Sequence, residues 1–367
     1  MWKSALLIKA CCAIALLIGF YACERNDAEP NLEMRKFTRL YVSFEQYNTS
    51  SLGVPDTNMR TIYPADSSEF NFTLKHVSQA KGGGPIYFHP RLEALFQASA
   101  NLNGINDTAV YSMSVGATNG VLQNLTAMEN RTYSAVRGLA FHEPTNSLFI
   151  VNGSGINAGI YVVNSPKSRR GYVPPLKRLR TPGLQMWGAA YANNRLFTSR
   201  LGSGPGINVF NNIAAVSVPE SDSTINNFAP ARVLQIADAR NLRGISYDTV
   251  KNVLAVAEFG GDGSVVGSGR ILIFDNFSSL IDQEGSTITP TRIITGAATK
   301  LQAPVDVVID PRESGVYLYV ADRSARAVFR FRIDDQGNTA PNQEVSTGSR
   351  TPVGLALDAR DYPSLGQ

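Results

Sequence analysis

At 367 residues the chain could hold two or three average domains, and its 43% hydrophobic and 17% charged residues are the proportions of a folded protein, not of a disordered one. A formal net charge of +4 is too small to draw nucleic acid by bulk electrostatics, so nucleic acid is not an expected partner. Cys11, Cys12 and Cys23 are the only cysteines, which excludes disulfides and thiol catalysis from everything that follows them.

Lys3 and Lys9 precede an apolar run from Ala10 to Tyr21, the pattern of a secretory signal peptide. As a helix that run would span about 18 Å, short of a hydrocarbon core of roughly 30 Å, so cleavage is expected in preference to a permanent span. The Ala22-Cys23 junction resembles the lipobox of bacterial lipoproteins. That resemblance implies removal of residues 1–22, acylation of Cys23 with palmitate-type chains, and attachment to a Gram-negative cell envelope, with the outer membrane expected. Each buried methylene would add about 0.8 kcal/mol, so several chains make such an anchor effectively permanent. Residues 23–37 are polar, with little apolar periodicity, and read as a tether. Residues 38–367 are then the folded body, expected to act as a monomer.

One short pattern, a small residue followed by alternating apolar positions, returns along the body roughly every 50–60 residues. It occurs at Pro85 to His89, Gly138 to His142, Gly188 to Ala192, Gly244 to Asp248, Asp306 to Asp310 and Gly354 to Asp358. This period suits a four-stranded propeller blade, and each occurrence is assigned as strand A. A second strand follows a turn at Leu95 to Ser99, Leu148 to Asn152, Leu196 to Arg200, Leu254 to Glu258 and Leu318 to Asp322. A third comes at Val110 to Met113, Ile160 to Val163, Ile207 to Phe210, Ile271 to Phe274 and Val328 to Phe331. Outer strands with proline and arginine appear at Pro175 to Arg180, Pro230 to Gln235 and Pro290 to Ile294, where an edge tolerates proline.

The last strand A, Gly354 to Asp358, has no partners after it, whereas Leu40 to Phe44 reads as a strand B without a strand A. Joined, the two ends complete one blade. The fold class predicted is therefore all-β, a six-bladed β-propeller closed by its C-terminal strand pairing with the N-terminal blade.

The repeats resemble the NHL and gluconolactonase-like six-bladed propellers, most clearly at Pro304 to Pro311, Tyr319 to Arg323 and Val328 to Phe331. The resemblance extends over most of the body and rests on blade-building motifs, and propellers of this kind host hydrolases, lyases, scaffolds and receptors. It implies one divalent cation, such as calcium, held by a Glu, Asn and Asp set, for which Asn152, Glu258 and Asp306 have suitable oxygen chemistry. Glu258 or Asp306 would then be the general base of a hydrolase. The family's glutamate in the N-terminal blade has no counterpart at Phe44.

In a propeller, strand A lines the central channel, and its start lies on the same face as the end of strand B. Arg137, Trp187, Arg243 and Asp306 at the starts of A, with Ser99, Asn152, Arg200, Glu258 and Asp322 at the ends of B, are therefore the candidate site. Stacking on Trp187 and hydrogen bonds from Arg137, Arg200 and Arg243, with Asp322 beside them, would suit a glycan or peptide. The competing reading is that strand-end residues bond neighbouring blades. His89 and His142 occupy equivalent ends of strand A and read as structural, and no nucleophile elbow or zinc spacing occurs. Lys81 to Gly84 and Gly260 to Gly263 lack the helix of a phosphate loop and read as turns. The basic cluster Lys167, Arg169, Arg170, Lys177, Arg178 and Arg180 reads as a solvated edge strand. The reading placed first is a lipid-anchored, non-catalytic binding or scaffold module for an envelope protein, peptide or glycan, without a cofactor. The alternative is a divalent-metal-dependent gluconolactonase-like hydrolase.

Overall fold

The computed structural model describes residues 37–46, 57–101, 106–261, 263–283 and 287–360. The leader, Cys23 and the tether up to residue 36 lie outside the described residues, and Phe37 already belongs to a strand.

Six antiparallel sheets form six blades. Their innermost strands are Pro352–Arg360, Ile86–His89, Val136–His142, Met186–Ala192, Asn241–Asp248 and Pro304–Ile309, which matches the six predicted strands A. The blade containing Pro352–Arg360 is built from both ends of the chain. That strand pairs with Phe37–Phe44, Leu40 facing Leu357 and Val42 facing Leu355, and Met59–Ile62 and Phe72–His76 complete the sheet.

Strand B is buried along most of its length because both of its faces are covered, and in several blades it reads as a near-continuous apolar run. In Val253–Phe259, Leu254 and Val256 pack toward the preceding blade while Val253, Ala255 and Ala257 pack toward the following one. Each of the six blade interfaces has a core of this kind. The small residue that opens strand A has a physical cause too. At the axis the inner strands crowd together, and a Cβ on Gly138 would lie 2.6 Å from the carbonyl oxygen of Gly188 in the next blade.

The outer edges differ from expectation. Three of them carry a fifth, two-residue strand donated in parallel by the next blade: Gly171–Tyr172, Thr224–Ile225 and Thr287–Ile288. Lys177–Arg180 is therefore a covered strand and not a free solvated edge. Lys177 Nζ donates to the Ala214 carbonyl, Lys167 Nζ to that of Leu92 and Arg180 Nη2 to that of Ile156, so much of the basic cluster is spent tying loops down.

Candidate functional site

The inner strands enclose a channel of about 400 Å³, a volume within the range of small-molecule sites. Its mouth lies where strands A begin. There five of the six inner strands take one extra residue against strand B, the register slipping around Arg137, between Trp187 and Ala190, between Leu242 and Ile245, at Val305 and at Val353. A bulge leaves its residue out of the ladder and re-aims its side chain. Here Arg137, Arg243, Val305 and Val353 are residues left out of the ladder, Trp187 is the last paired residue before its bulge, facing Ser199, and all five line the mouth.

Both guanidiniums lie over the indole. The Arg243 carbon is 4.4 Å and the Arg137 carbon 4.9 Å from the Trp187 ring centroid, and Arg243 is also 5.3 Å from that of Phe259. Arg137 Nη1 donates to the carbonyls of Ala100 and Val136, and Arg243 Nη1 to that of Leu242 at 3.2 Å. Among the described residues neither has a carboxylate at ion-pair distance. Burial pushes Arg137 down to about 10, and burial together with repulsion from Arg137 and Arg323 does the same to Arg243. Both remain cations at neutral pH. The mouth therefore carries positive charge that is incompletely balanced: among the described residues Arg323 is ion-paired, with Glu45 at 2.7 Å, and Arg137 and Arg243 are not.

Gly153 is part of this construction. A Cβ at Gly153 would lie 2.2 Å from the Met186 carbonyl oxygen and 2.5 Å from Arg137 Cγ, so glycine is needed both by the neighbouring inner strand and by the arginine stem.

Asp306 sits farther in, on the channel wall between two neighbouring inner strands. Its Oδ2 accepts the Leu355 N–H at 2.8 Å and its Oδ1 accepts the Val307 N–H at 3.0 Å. No cation faces it among the described ion pairs. Enclosure pushes its carboxyl up to about 7 against the opposing pull of those two N–H groups. An acid that exchanges a proton near neutral pH on the wall of a channel is suited to general acid–base chemistry.

The strand-B ends do not join this site. Asn152 accepts the Ala135 N–H at 2.8 Å and donates to the Asn157 carbonyl at 2.9 Å. Glu258 accepts the Arg240 N–H at 2.6 Å and is ion-paired with Arg270. Asp322 accepts N–H groups of Gln302, Ala303 and Ala325. Ser99 Oγ donates to the Lys81 carbonyl. All four are buried and fasten the segment that enters strand A or the turn that leaves strand B. Arg200 is half-buried at the end of its strand, outside the channel wall. The reason is the two-residue alternation of a strand: the polar residue at each strand-B end turns into the blade, and the next residue turns to the mouth. Ala100, Phe259 and Arg323 are those next residues. Sequence reasoning missed Phe259 and Arg323, although a shift of one position would have found them.

The same geometry bears on a cation. Asn152 and Glu258 lie off the channel wall with their oxygens engaged, so they and Asp306 do not form one donor set. Among the described residues no group of three or more His, Cys, Asp or Glu side chains is arranged to hold a metal ion. The residues present do not fit the cation that the family resemblance implies.

No protein-family model and no curated relative matches the chain. Solved structures do. A candidate 6-phosphogluconolactonase of Bacteroides uniformis is 13% identical with a TM-score of 0.50, over 88% of this chain and 83% of that one. One of Bacteroides fragilis is 13% identical with a TM-score of 0.55, over 88% and 98%. The periplasmic gluconolactonase of Pseudomonas aeruginosa is 14% identical with a TM-score of 0.59, over 88% and 99%. At these identities the likeness is one of fold, and it establishes the six-bladed β-propeller.

Proposed function

We propose that the chain is a hydrolase of small anionic lactones or esters, with the charged group of the substrate held at the mouth by Arg137 and Arg243 and the reacting carbonyl beside Asp306. The observation that carries this reading is the stack of two guanidiniums on Trp187, with no carboxylate partner among the described residues, above a wall acid that titrates near 7. The lactonase names of the structural neighbours support it.

In the reaction Asp306, ionised, takes a proton from a water molecule as that water's oxygen bonds to the acyl carbon. The acyl C–O bond then breaks, and the departing oxygen takes the proton back from Asp306. One water is consumed and one hydroxy acid, or an acid and an alcohol, is released. Trp187 and the arginines orient the substrate and balance its charge. No step is assigned to a metal.

The test is hydrolysis of gluconolactone, 6-phosphogluconolactone and simple anionic esters, followed by proton release. Asp306→Asn is expected to lower kcat at least a hundred-fold with KM little changed, and Arg137→Gln to raise KM. No turnover of any of them would overturn the hydrolase.

Binding without catalysis, of an envelope protein, peptide or glycan, is the second reading. It is favoured by the bonds from both Asp306 oxygens to backbone N–H groups, a structural use of the acid. Anion binding at Trp187 without turnover would select it.

The sequence alone supports our further proposal that Cys23 is acylated and holds the body in the envelope. Phe37 starts the strand whose far end, Phe44, leads to Glu45 beside the mouth, so a tether leaving Phe37 would depart from the opposite face. Release of the protein from membranes by Cys23→Ala is the expected result, and retention would overturn it.

A further inference from the structure

We propose that the ligand is amphiphilic: an anionic head of carboxylate or phosphate type at the Arg137–Trp187–Arg243 mouth and an apolar body of several carbons reaching down the channel past Asp306. This rests on the anion site described above and specifies what that site takes.

The channel changes character along its length. Past the arginines the lining includes Tyr87, Ala190, Ser246, Tyr247, Val308 and Leu357, together with Tyr191 and Asp248, whose polar groups are engaged by Asn194 and Lys251, and most of the surface of the whole site is carbon. The tyrosine hydroxyl of Tyr247 is turned away to Asn252 at 3.2 Å. Ser246 and Tyr87 are the remaining hydroxyls of this set, and Ser246 Oγ already accepts the Ile309 N–H at 3.1 Å.

Some of the backbone donors beside Asp306 are taken as well. The inner edge of strand A could give N–H groups to a polyhydroxylated ligand, but those of Val307 and Leu355 are taken by Asp306 and that of Ile309 by Ser246. A sugar chain placed here would bury hydroxyls without partners, which is unfavourable for each one. An alkyl or aryl body meets no such penalty. It also gains from leaving water, each buried methylene adding about four-fold in affinity.

The face around the mouth points the same way. Ile156 is 82% exposed and Val265 61%, and both stand on loops that follow strands B at this face. They would meet an apolar ligand, or the surface that delivers it, before it enters.

Trp187 and Trp2 are the only tryptophans, so Trp2→Phe in the full chain leaves the mouth indole as the sole tryptophan, read by excitation beyond the absorption of tyrosine. Titration of this protein with inorganic phosphate, gluconate and the straight-chain carboxylates from butyrate to octanoate, each below its micelle concentration, tests the proposal. Expected is an affinity that climbs about four-fold per methylene and leaves octanoate at least ten-fold tighter than gluconate. Arg137→Gln should weaken every member, and Val308→Asp should abolish the chain-length dependence in a protein that still melts cooperatively. Gluconate binding as tightly as octanoate, or octanoate binding indifferent to Arg137→Gln, would overturn the amphiphile while leaving the anion site standing. If neither phosphate nor any carboxylate perturbs Trp187, the anion site itself fails.

Discussion

Gly244 packs against Asp306 so closely that a Cβ on the glycine would lie 2.6 Å from the Cα of Asp306 and would collide with its carboxylate. Adjacent inner strands thus meet at the one repeat whose opening position is an acid in place of a small residue. Gly244→Ala is expected to destabilise by about 1–3 kcal/mol through overpacking and to displace the carboxylate from the Leu355 N–H. Urea unfolding gives the first quantity. The second should show as a loss of lactone or ester hydrolysis larger than the stability change explains, and a variant of full stability and activity would refute the contact.

Asp306 also makes stability depend on pH. In the unfolded chain it ionises near the usual carboxylate value of about 3.9, whereas in the fold it does so only near 7. Between those values the native state holds a proton that the unfolded state has lost, so this group lowers stability as pH rises from about 4 to about 7 and adds nothing further above that. The ceiling is about 4 kcal/mol. Asp306→Asn carries some constant cost, yet its stability relative to the parent protein should improve steadily over that window. Parallel melting curves across pH 4–8 would show that Asp306 is an ordinary ionised carboxylate. Catalysis should run oppositely, rising through pH 7 as the base ionises.

Much of the architecture was legible because both faces of strand B are buried. Five strands B, from Leu95 to Asp322, could be aligned without gaps and without any structure, and so could the orphan strands at the two ends. Arg137, Trp187 and Arg243 were found because they precede the small residue that crowding at the axis demands. Two features were hidden. The bulges that turn those side chains into the mouth change no residue type, and a parity error of one position selected Glu258 and Asp322 in place of Phe259 and Arg323. The covering strands were invisible for another reason: a pair such as Gly171–Tyr172 is too short to carry any periodicity.

Arg137 and Arg243 repel one another and are partly buried, so each is held at a cost that only an anion relieves. Replacing Arg137 by glutamine should leave the melting temperature unchanged or slightly raised while weakening phosphate binding at Trp187 about ten-fold. Binding should also weaken with added salt, most in the parent protein. Gly153→Ala, whose Cβ would meet both the Met186 carbonyl oxygen and the Arg137 stem, should lower stability and weaken binding together, and glycine at that position would be dispensable if it did neither.

Asp322 separates a structural acid from a functional one. It receives backbone N–H groups from Gln302, Ala303 and Ala325 while fully buried, which fastens the entry to the inner strand Pro304–Ile309. Asp322→Ala strands these donors and should destabilise by about 2–4 kcal/mol. Where the variant is folded, anion binding at Trp187 should be close to that of the parent. A stable Asp322→Ala protein that no longer binds would return this residue to the site.

Ring closure rests on one strand. Pro352–Arg360 pairs with Phe37–Phe44 and its Leu355 and Leu357 pack in the core between the first and last blades. Arg39, on the partner strand, is buried 3.5 Å from Asp358 and donates to the carbonyls of Ala117 and Thr118 in the neighbouring blade, so the closing pair is also tied sideways. Removing residues 352–367 takes away a whole inner strand, exposes the edge of Phe37–Phe44 and leaves Arg39 buried without its acid. Losing one partner of a buried pair costs about 3–5 kcal/mol by itself, before the lost ladder and core are added. The truncated chain is therefore expected to lose its cooperative thermal transition, because every blade leans on two neighbours and an open ring leaves two interfaces bare. A restoring peptide of residues 350–362, added in excess, should recover the transition in proportion to its concentration. A truncated protein that melts as the parent does would mean that the six blade cores hold without closure.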